Sequence, residues 1–254
     1  MMLAGIALVG FSQPLLAAPT DLNWQAANLR GNGSAAVTGT YAQDGNASLQ
    51  FNTSGSGDKA DFVTSWGLVA GRTLGNISSL SFQYLRDAVS TAANYLAPAL
   101  RLSYYDAASQ KNGYLIFEQV YQPPGNAAVP TNQFVTADLT NANFWMRAFG
   151  PGRTIEAYNL TLADWANGAH PKSDADVLSA NTYIYGIEVG VGSGWGGTFQ
   201  GAVDNVAITF GTTDALATNF ELAATAVPEP ASMALLGLGL AGAGLVRRRV
   251  RAAA

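Results

Sequence analysis

Short runs of alternating apolar and polar residues dominate the chain between residues 20 and 211. In one such run, Leu80, Phe82 and Tyr84 alternate with polar neighbours. This period of two residues is typical of a β-strand with one buried face. Similar patterns predict seven further strands, at residues 48–52, 61–66, 100–104, 113–121, 133–139, 183–191 and 199–210.

Turn-forming residues separate these strands, as at residues 44–45, 111–113 and 123–125, where glycine follows Asp, Asn or Pro. A helical pattern is nearly confined to residues 161–166, and Gly168 would end that helix. Many short strands with little helix are typical of two packed antiparallel sheets. The sequence therefore predicts an all-β fold, a two-sheet antiparallel β-sandwich of the jelly-roll type.

The strand at residues 183–191 has apolar side chains at every second position, which predict one continuous buried face: Tyr183, Tyr185, Ile187, Val189 and Val191. Glu188 has the opposite parity, so its side chain is expected to line an outer, concave surface of the sandwich.

The N-terminus carries an uncharged apolar run at residues 3–16, followed by Ala17, Ala18 and Pro19. An apolar run before small residues is typical of a secretory signal peptide, here residues 1–18, although no Lys or Arg precedes the run. A buried N-terminal helix is the alternative. The chain is therefore expected to be exported.

The C-terminus has three parts in a fixed order. Val227-Pro228-Glu229-Pro230 is followed by an uncharged run at residues 231–246 and then by four arginines: Arg247, Arg248, Arg249 and Arg251. The run predicts a single apolar helix that crosses the membrane, with the arginines on the cytoplasmic side. Residues 212–226, rich in Ala and Thr, are expected to be a tether between a domain at residues 20–211 and this tail at residues 227–254.

This three-part tail resembles the PEP-CTERM sorting signal. The resemblance implies a Gram-negative bacterium and an exosortase, a membrane protease that cuts near the Pro-Glu-Pro and is often found beside exopolysaccharide biosynthesis. It covers residues 227–254 only. More weakly, residues 96–102, 117–121 and 201–206 resemble β-sandwich domains that precede this tail in other exported proteins, with no activity implied.

Charge excludes one class of partner. Of 13 basic and 17 acidic residues, four arginines and Glu229 belong to the tail, which leaves nine basic and sixteen acidic residues, a net charge of −7. Nucleic-acid binding needs clustered Lys and Arg, and the sequence shows no such cluster outside the tail. Cysteine is absent, so export cannot rest on disulfides.

Two glutamates in predicted strands, Glu118 and Glu188, are the candidates for the carboxylate pair of a glycoside hydrolase, whereas Glu156 lies in a loop region. Neither has a second carboxylate close by on the same strand, a spacing that many β-sandwich glycosidases use. We therefore expect a non-catalytic protein of the cell envelope or extracellular matrix that is structural or contacts glycans. The alternative is a jelly-roll hydrolase or lyase acting on exopolysaccharide.

Three tryptophans near predicted loops or strand ends are candidate glycan contacts: Trp145, Trp165 and Trp195. Flat aromatic rings pack against the C–H faces of sugars. Trp195 lies in the glycine-rich segment at residues 190–197, where few neighbouring side chains exist to bury it, so we expect it outside the core. The alternative is that these tryptophans close the ends of the sandwich.

Loop acids are the only candidates for a metal site. Asp174 with Asp176, or Asp58 with Asp61, offers the hard oxygen ligands that calcium takes, while solvated acids are the alternative. No other cofactor is indicated.

Overall fold

The computed structural model describes residues 22–150 and 153–223. In chain order their strands are β1 (Gln25–Arg30), β2 (Ser34–Thr38), β3 (Ser48–Thr53), β4 (Lys59–Ser65), β5 (Ile77–Arg86), β6 (Ala99–Asp106), β7 (Lys111–Phe117), β8 (Phe134–Asp138), β9 (Trp145–Ala148), β10 (Arg153–Ile155), β11 (Tyr183–Gly192), β12 (Phe199–Phe210) and β13 (Asp214–Thr218). One α-helix, α1 (Leu162–Ala166), and three short 3₁₀ helices, Gly39–Tyr41, Leu74–Asn76 and Gln119–Tyr121, complete the described elements.

Two antiparallel sheets face each other. The seven-stranded sheet has the order β1-β4-β11-β6-β7-β9-β10, and the six-stranded sheet has the order β2-β3-β12-β5-β8 with β13 paired to β12. The predicted all-β, two-sheet antiparallel sandwich is confirmed. Most neighbouring strands are not consecutive in the chain, so the sheet faces are assembled from distant parts of it.

The core lies between the sheets and follows the predicted alternation. Leu80 and Phe82 of β5 are fully buried, as are Leu100 and Leu102 of β6. On each strand the intervening side chains point away from the core, because successive residues of a strand face opposite sides of its sheet. Every second side chain of these strands therefore lies on the outer face of its sheet.

A bulge in β11 changes one prediction. Its pairing with β6 shifts register between Ile184 and Gly186, and Ile184 is buried with Ile187, Val189 and Val191. A bulge adds one residue and reverses which side chains face the core. Tyr183 and Tyr185 are only half-buried, so the predicted continuous face from Tyr183 to Val191 is wrong at its first two positions.

The domain extends beyond its predicted end. β13 pairs with β12, Leu216 and Phe220 are buried, and the Phe220 N–H donates to Asp204 Oδ1 at 3.0 Å. The compact unit ends at Leu222, so the predicted tether at residues 212–226 starts about ten residues too early. Alternating small residues hid this strand, because Ala and Thr contribute little to a hydrophobic pattern.

Helix α1 forms where the sequence predicts it. The Thr161 side chain accepts from the Asp164 N–H, and the Asp164 carboxylate accepts from the Thr161 N–H, a capping box. Gly168 adopts a φ of +81°, a conformation in which glycine avoids the steric cost of other residues.

The predicted signal peptide at residues 1–18 and the sorting tail at residues 227–254 lie outside the described residues. Within the described part of the chain, no helix has the length and apolar character needed to cross a membrane.

Candidate functional site

A groove of about 740 Å³ lies on the outer face of the seven-stranded sheet. Strands β1, β4, β6, β7 and β9 contribute side chains to it, and the end of β11 contributes backbone. One wall, from β1 and β4, carries Arg30 and Lys59, and the other, from β7 to the end of β9, carries Tyr114, Trp145 and Phe149. The groove therefore has a cationic wall and an aromatic wall.

Strand register brings the groove residues together. Arg101 pairs across the ladder with Ile116, which pairs with Trp145, so one row crosses three strands. Two residues further along the same two strands, Tyr114 pairs with Arg147 on the same outer face. Side chains directly opposite each other in antiparallel strands have Cβ atoms about 4.5–5.5 Å apart, which packs these side chains into one surface.

The floor of the groove contains an ion cluster of Lys59, Asp61, Arg101 and Glu188, in which Lys59 is half-buried and the other three are buried. Arg101 Nη1 lies 2.9 Å from Asp61 Oδ1 and 2.6 Å from Glu188 Oε1. Lys59 Nζ pairs with Asp61 and lies 4.0 Å from Glu188 Oε1. Asp61 is 0% exposed and Glu188 is 1% exposed, so both carboxylates are withdrawn from water. The outward orientation predicted for Glu188 is confirmed.

Neutral side chains donate further hydrogen bonds to these carboxylates. Asn28 Nδ2 donates to Asp61 Oδ2 at 3.0 Å and to Glu188 Oε2 at 3.3 Å, and the Tyr114 hydroxyl donates to Glu188 Oε2 at 3.3 Å. Gly190 of β11 makes room for the cluster, because a Cβ there would lie 2.0 Å from Asp61 Oδ1. Each buried charge thus has both an opposite charge and hydrogen bonds, as a buried ion cluster requires.

Burial and attraction oppose each other in this cluster. Burial alone would lower the pKa of Arg101, but Asp61 and Glu188 outweigh it and raise that pKa. Burial raises the pKa of Glu188 and Asp61 adds to this effect, while Arg101 and Lys59 oppose it. Two cations and two carboxylates balance, so the cluster fixes the floor of the groove without giving it a net charge.

Glu118 is the one carboxylate that lines the groove among the described residues. It is half-buried, and its Oε2 accepts from Trp145 Nε1 at 3.0 Å. Burial raises the pKa of Glu118, with Arg101 and the Trp145 hydrogen bond acting against this shift. The hydrogen bond fixes the edge of the indole, so the half-buried ring is held in place at the groove.

Further aromatic rings hold this wall in place. Trp145 lies 6.4 Å from Tyr158 in an edge-to-face arrangement, and Tyr158 stacks on Tyr121 with ring centroids 3.9 Å apart. Tyr114 meets Phe149 edge to face at 4.8 Å. Aromatic neighbours restrict the rotation of each ring, so the wall presents fixed flat surfaces.

Residues 226–249 match the family model described as the PEP-CTERM protein-sorting motif. The chain carries a PEP-CTERM sorting signal. This finding confirms the resemblance of the tail and makes the protein an exosortase target, exported and associated with the cell envelope.

Several solved structures are similar to the described fold. A family 11 carbohydrate-binding module from Clostridium thermocellum, in complex with a β-1,3-1,4-mixed-linked tetrasaccharide, has a TM-score of 0.41 and 13% identity over 76% of this chain and 91% of that chain. A family 22 carbohydrate-binding module from the same organism has a TM-score of 0.38 and 14% identity over 75% and 87%. A carbohydrate esterase from a Shiga toxin-encoding bacteriophage has a TM-score of 0.37 and 12% identity over 74% and 90%. No curated protein matches the chain in sequence.

Of the three tryptophans predicted to contact glycan, Trp145 alone lies in the groove. Trp165 is fully buried, with its Nε1 donating to the Phe144 carbonyl at 2.9 Å. Trp195 is 8% exposed and packs against Phe199 at 5.1 Å, so the prediction that it lies outside the core is wrong. Its glycine-rich segment folds back onto the body, where the Gly194 N–H donates to the Ser56 carbonyl at 2.8 Å.

The loop acids considered for calcium have protein partners. Asp176 Oδ2 accepts from the Tyr104 hydroxyl at 2.7 Å, and Asp174 Oδ2 lies 3.5 Å from Arg153 Nε. Asp58 accepts from the Ser54 and Asn32 N–H groups at 2.7 and 3.0 Å, while Asp61 belongs to the ion cluster. The described residues contain no group of three or more metal-ligating His, Cys, Asp or Glu side chains.

Sequence reasoning missed most of the groove. Arg30, Lys59, Arg101, Tyr114 and Arg147 were not singled out, because each is an ordinary polar or aromatic residue on the outward face of its own strand. The alternation around Arg101, between Leu100 and Leu102, predicts its outward direction. What brings these side chains together is strand order, which the sequence pattern does not specify.

Proposed function

We propose that this exosortase-targeted protein binds a glycan of the cell envelope or extracellular matrix through the groove on its seven-stranded sheet. The observation that carries the proposal is the aromatic wall of Tyr114, Trp145 and Phe149, set beside polar groups in one open groove. Sugars present apolar C–H faces to aromatic rings and hydroxyls to polar side chains, so this combination suits them.

The rigid floor supports the same function. The carboxylates of the ion cluster, Asp61 and Glu188, are nearly inaccessible to water and are held by Asn28 and Tyr114. Buried ion clusters seldom stabilise a fold more than apolar packing would. A fixed arrangement of side chains under a groove does lower the entropy cost of binding, which favours a recognition role.

Hydrolysis or cleavage of the glycan is the second candidate, because Glu118 lines the groove and burial raises its pKa, as a general acid requires. Glu188 would be the second carboxylate. However, the Glu188 carboxylate already contacts four side chains: Arg101, Asn28, Tyr114 and Lys59. It is therefore poorly placed to act as a base or nucleophile. We therefore favour binding without catalysis.

A retention experiment tests the proposal. The full chain in mild detergent, as wild type and as Trp145→Ala, is passed over immobilised β-glucan, xylan, polygalacturonate and the exopolysaccharide of the native host. The wild type should bind at least one polymer, and the variant should lose about 1–3 kcal/mol, roughly five-fold to more than a hundred-fold in affinity. Trp66→Ala, outside the groove, is the matched control and should bind like the wild type.

Two outcomes would contradict the proposal. The first is that the wild type binds none of the polymers. The second is that the wild type and Trp145→Ala bind equally well. Release of reducing ends by the wild type but not by Glu118→Gln would establish the hydrolase alternative instead.

A further inference from the structure

The groove gathers the basic residues of an acidic protein. Outside the tail the chain has nine basic and sixteen acidic residues. Four of the nine, Arg30, Lys59, Arg101 and Arg147, line the groove, whereas Glu118 is the one acidic residue among its described lining. Such an uneven placement concentrates positive potential in the groove against the field of the whole body.

Two of these four cations are already neutralised. Lys59 and Arg101 pair with Asp61 and Glu188 in the floor. Even with these buried carboxylates included, four cations face three carboxylates, so the groove keeps a net positive charge.

Arg30 and Arg147 are in a different position. Within residues 22–150 and 153–223, neither guanidinium lies within 4.0 Å of a carboxylate oxygen, the limit that defines the ion pairs of this structure. Arg30 Nη2 donates to Ser193 Oγ at 3.2 Å, a neutral contact at the rim. Both side chains are exposed, so they are free to bind an incoming anion.

The two arginines stand on opposite sides of the groove. Arg30 belongs to β1 and Arg147 to β9, and five strand spacings separate these strands in the sheet. At about 4.8 Å for each spacing, the strands lie roughly 24 Å apart along the sheet. One small anion cannot meet both, whereas a chain of several sugars with repeated acid groups can.

We propose that the ligand of this groove is an anionic glycan, with acid groups on more than one sugar that pair with Arg30 and Arg147. The inference rests on the proposed function and names the chemical class of its ligand. Guanidinium groups bind carboxylates and sulfates through paired, charge-assisted hydrogen bonds. Trp145, two residues before Arg147 on the same face of β9, would stack on a sugar whose acid group reaches that arginine.

The test compares polymers that differ in charge. Binding of the full chain in mild detergent is measured by calorimetry with polygalacturonate, with the same polymer after reduction of its carboxyl groups to alcohols, and with dextran sulfate. Arg30→Gln and Arg147→Gln are measured beside Lys111→Gln, which removes the same charge from an exposed residue outside the groove.

At least one acid polymer should bind the protein about ten-fold or more tightly than the reduced polymer does, because each acid group that meets an arginine adds a charge-assisted hydrogen bond. Each groove variant should lose about ten-fold toward that acid polymer and keep its affinity for the reduced one. Lys111→Gln should bind like the wild type. The better of the two acid polymers identifies the acid group as carboxylate or sulfate.

Equal affinity for the acid and reduced polymers, with no effect of either groove variant, would overturn this inference. If Trp145→Ala still lost binding in that case, the proposed glycan function would stand with a neutral ligand. Absence of binding to every polymer would overturn both proposals.

Discussion

The two outer faces of the sandwich are built from the same kind of strand but from different side chains. On the six-stranded sheet, an amide patch of Ser34, Gln50, Asn52, Gln83 and Thr136 points outward. Its members form neutral hydrogen bonds, such as Asn52 Nδ2 to Ser34 Oγ at 3.3 Å and Gln83 Nε2 to Thr136 Oγ1 at 3.2 Å. On the seven-stranded sheet, the outward-facing side chains form the ion cluster and the aromatic wall.

This difference separates what holds the fold together from what serves a ligand. The amide patch shows that an outer face of this sandwich can be built without an ion cluster. Placing Asp61 and Glu188 away from water has a desolvation cost that the fold itself does not require. Single buried acids occur elsewhere, such as Asp204 of β12, but among the described residues two cations and two buried carboxylates meet only under the groove, so we assign the ion cluster to recognition.

Removal of β13 is expected to have the largest effect, because the six-stranded side depends on apolar closure. Leu216 and Phe220 are 2% and 4% exposed, and burial of each contributes about 1.5–3 kcal/mol, so a chain ending at residue 211 should lose about 3–6 kcal/mol of unfolding free energy. Denaturant unfolding measures this loss. A chain ending at Leu222 is the control and should unfold like the full chain. Equal stability of both truncated chains would restore the boundary at residue 211.

Arg101→Met should destabilise the groove side almost as strongly. The substitution leaves Asp61 and Glu188 with Lys59 as their remaining cation, and breaking a buried ion pair costs about 3–5 kcal/mol. On the opposite face, Asn52→Ala removes neutral hydrogen bonds with Ser34 and Gln50 and should cost about 0.5 kcal/mol. Similar losses in the two variants would mean that the two faces do not differ as described.

A smaller effect is expected from Glu118→Gln, and it depends on pH. Burial raises the pKa of Glu118 in the folded state above its ordinary value of 4.5, so the folded protein holds this proton more tightly than the unfolded chain. The stability of the wild type relative to the variant should therefore fall as pH rises from about 4 to about 7. Melting temperatures across this range measure the difference. A wild type that becomes more stable relative to Glu118→Gln as pH rises would contradict the raised pKa.

Much of the fold could be predicted from the sequence, because burial of large side chains produces a clear period. Leu80, Phe82, Leu100 and Leu102 mark strands whose inner faces the structure confirms. β1 and β2 were missed, since Gln25–Arg30 and Ser34–Thr38 contain mostly small or polar residues at the sheet edges. Such edge strands bury little apolar area and leave little periodicity to detect.

The groove was far less predictable than the fold. Arg30, Arg101 and Arg147 are separated by more than 40 residues each, and strand order alone places them on one face. The prediction for Trp195 was wrong because its glycine neighbours suggested exposure. A segment without side chains can also lie flat against the core. Local sequence indicates where a side chain points but not which strands become its neighbours.

The central claim is that glycan binds the face that carries the ion cluster, and amide hydrogen exchange of the full chain in detergent, with and without oligogalacturonate, tests it most directly. The ligand should slow exchange at residues 114–118, in and just after β7, and at residues 145–147 of β9, whose outward side chains line the groove. Exchange at residues 50–52 and 81–83, under the amide patch, should not change. Protection of the amide patch with no change in β7 and β9 would contradict the account.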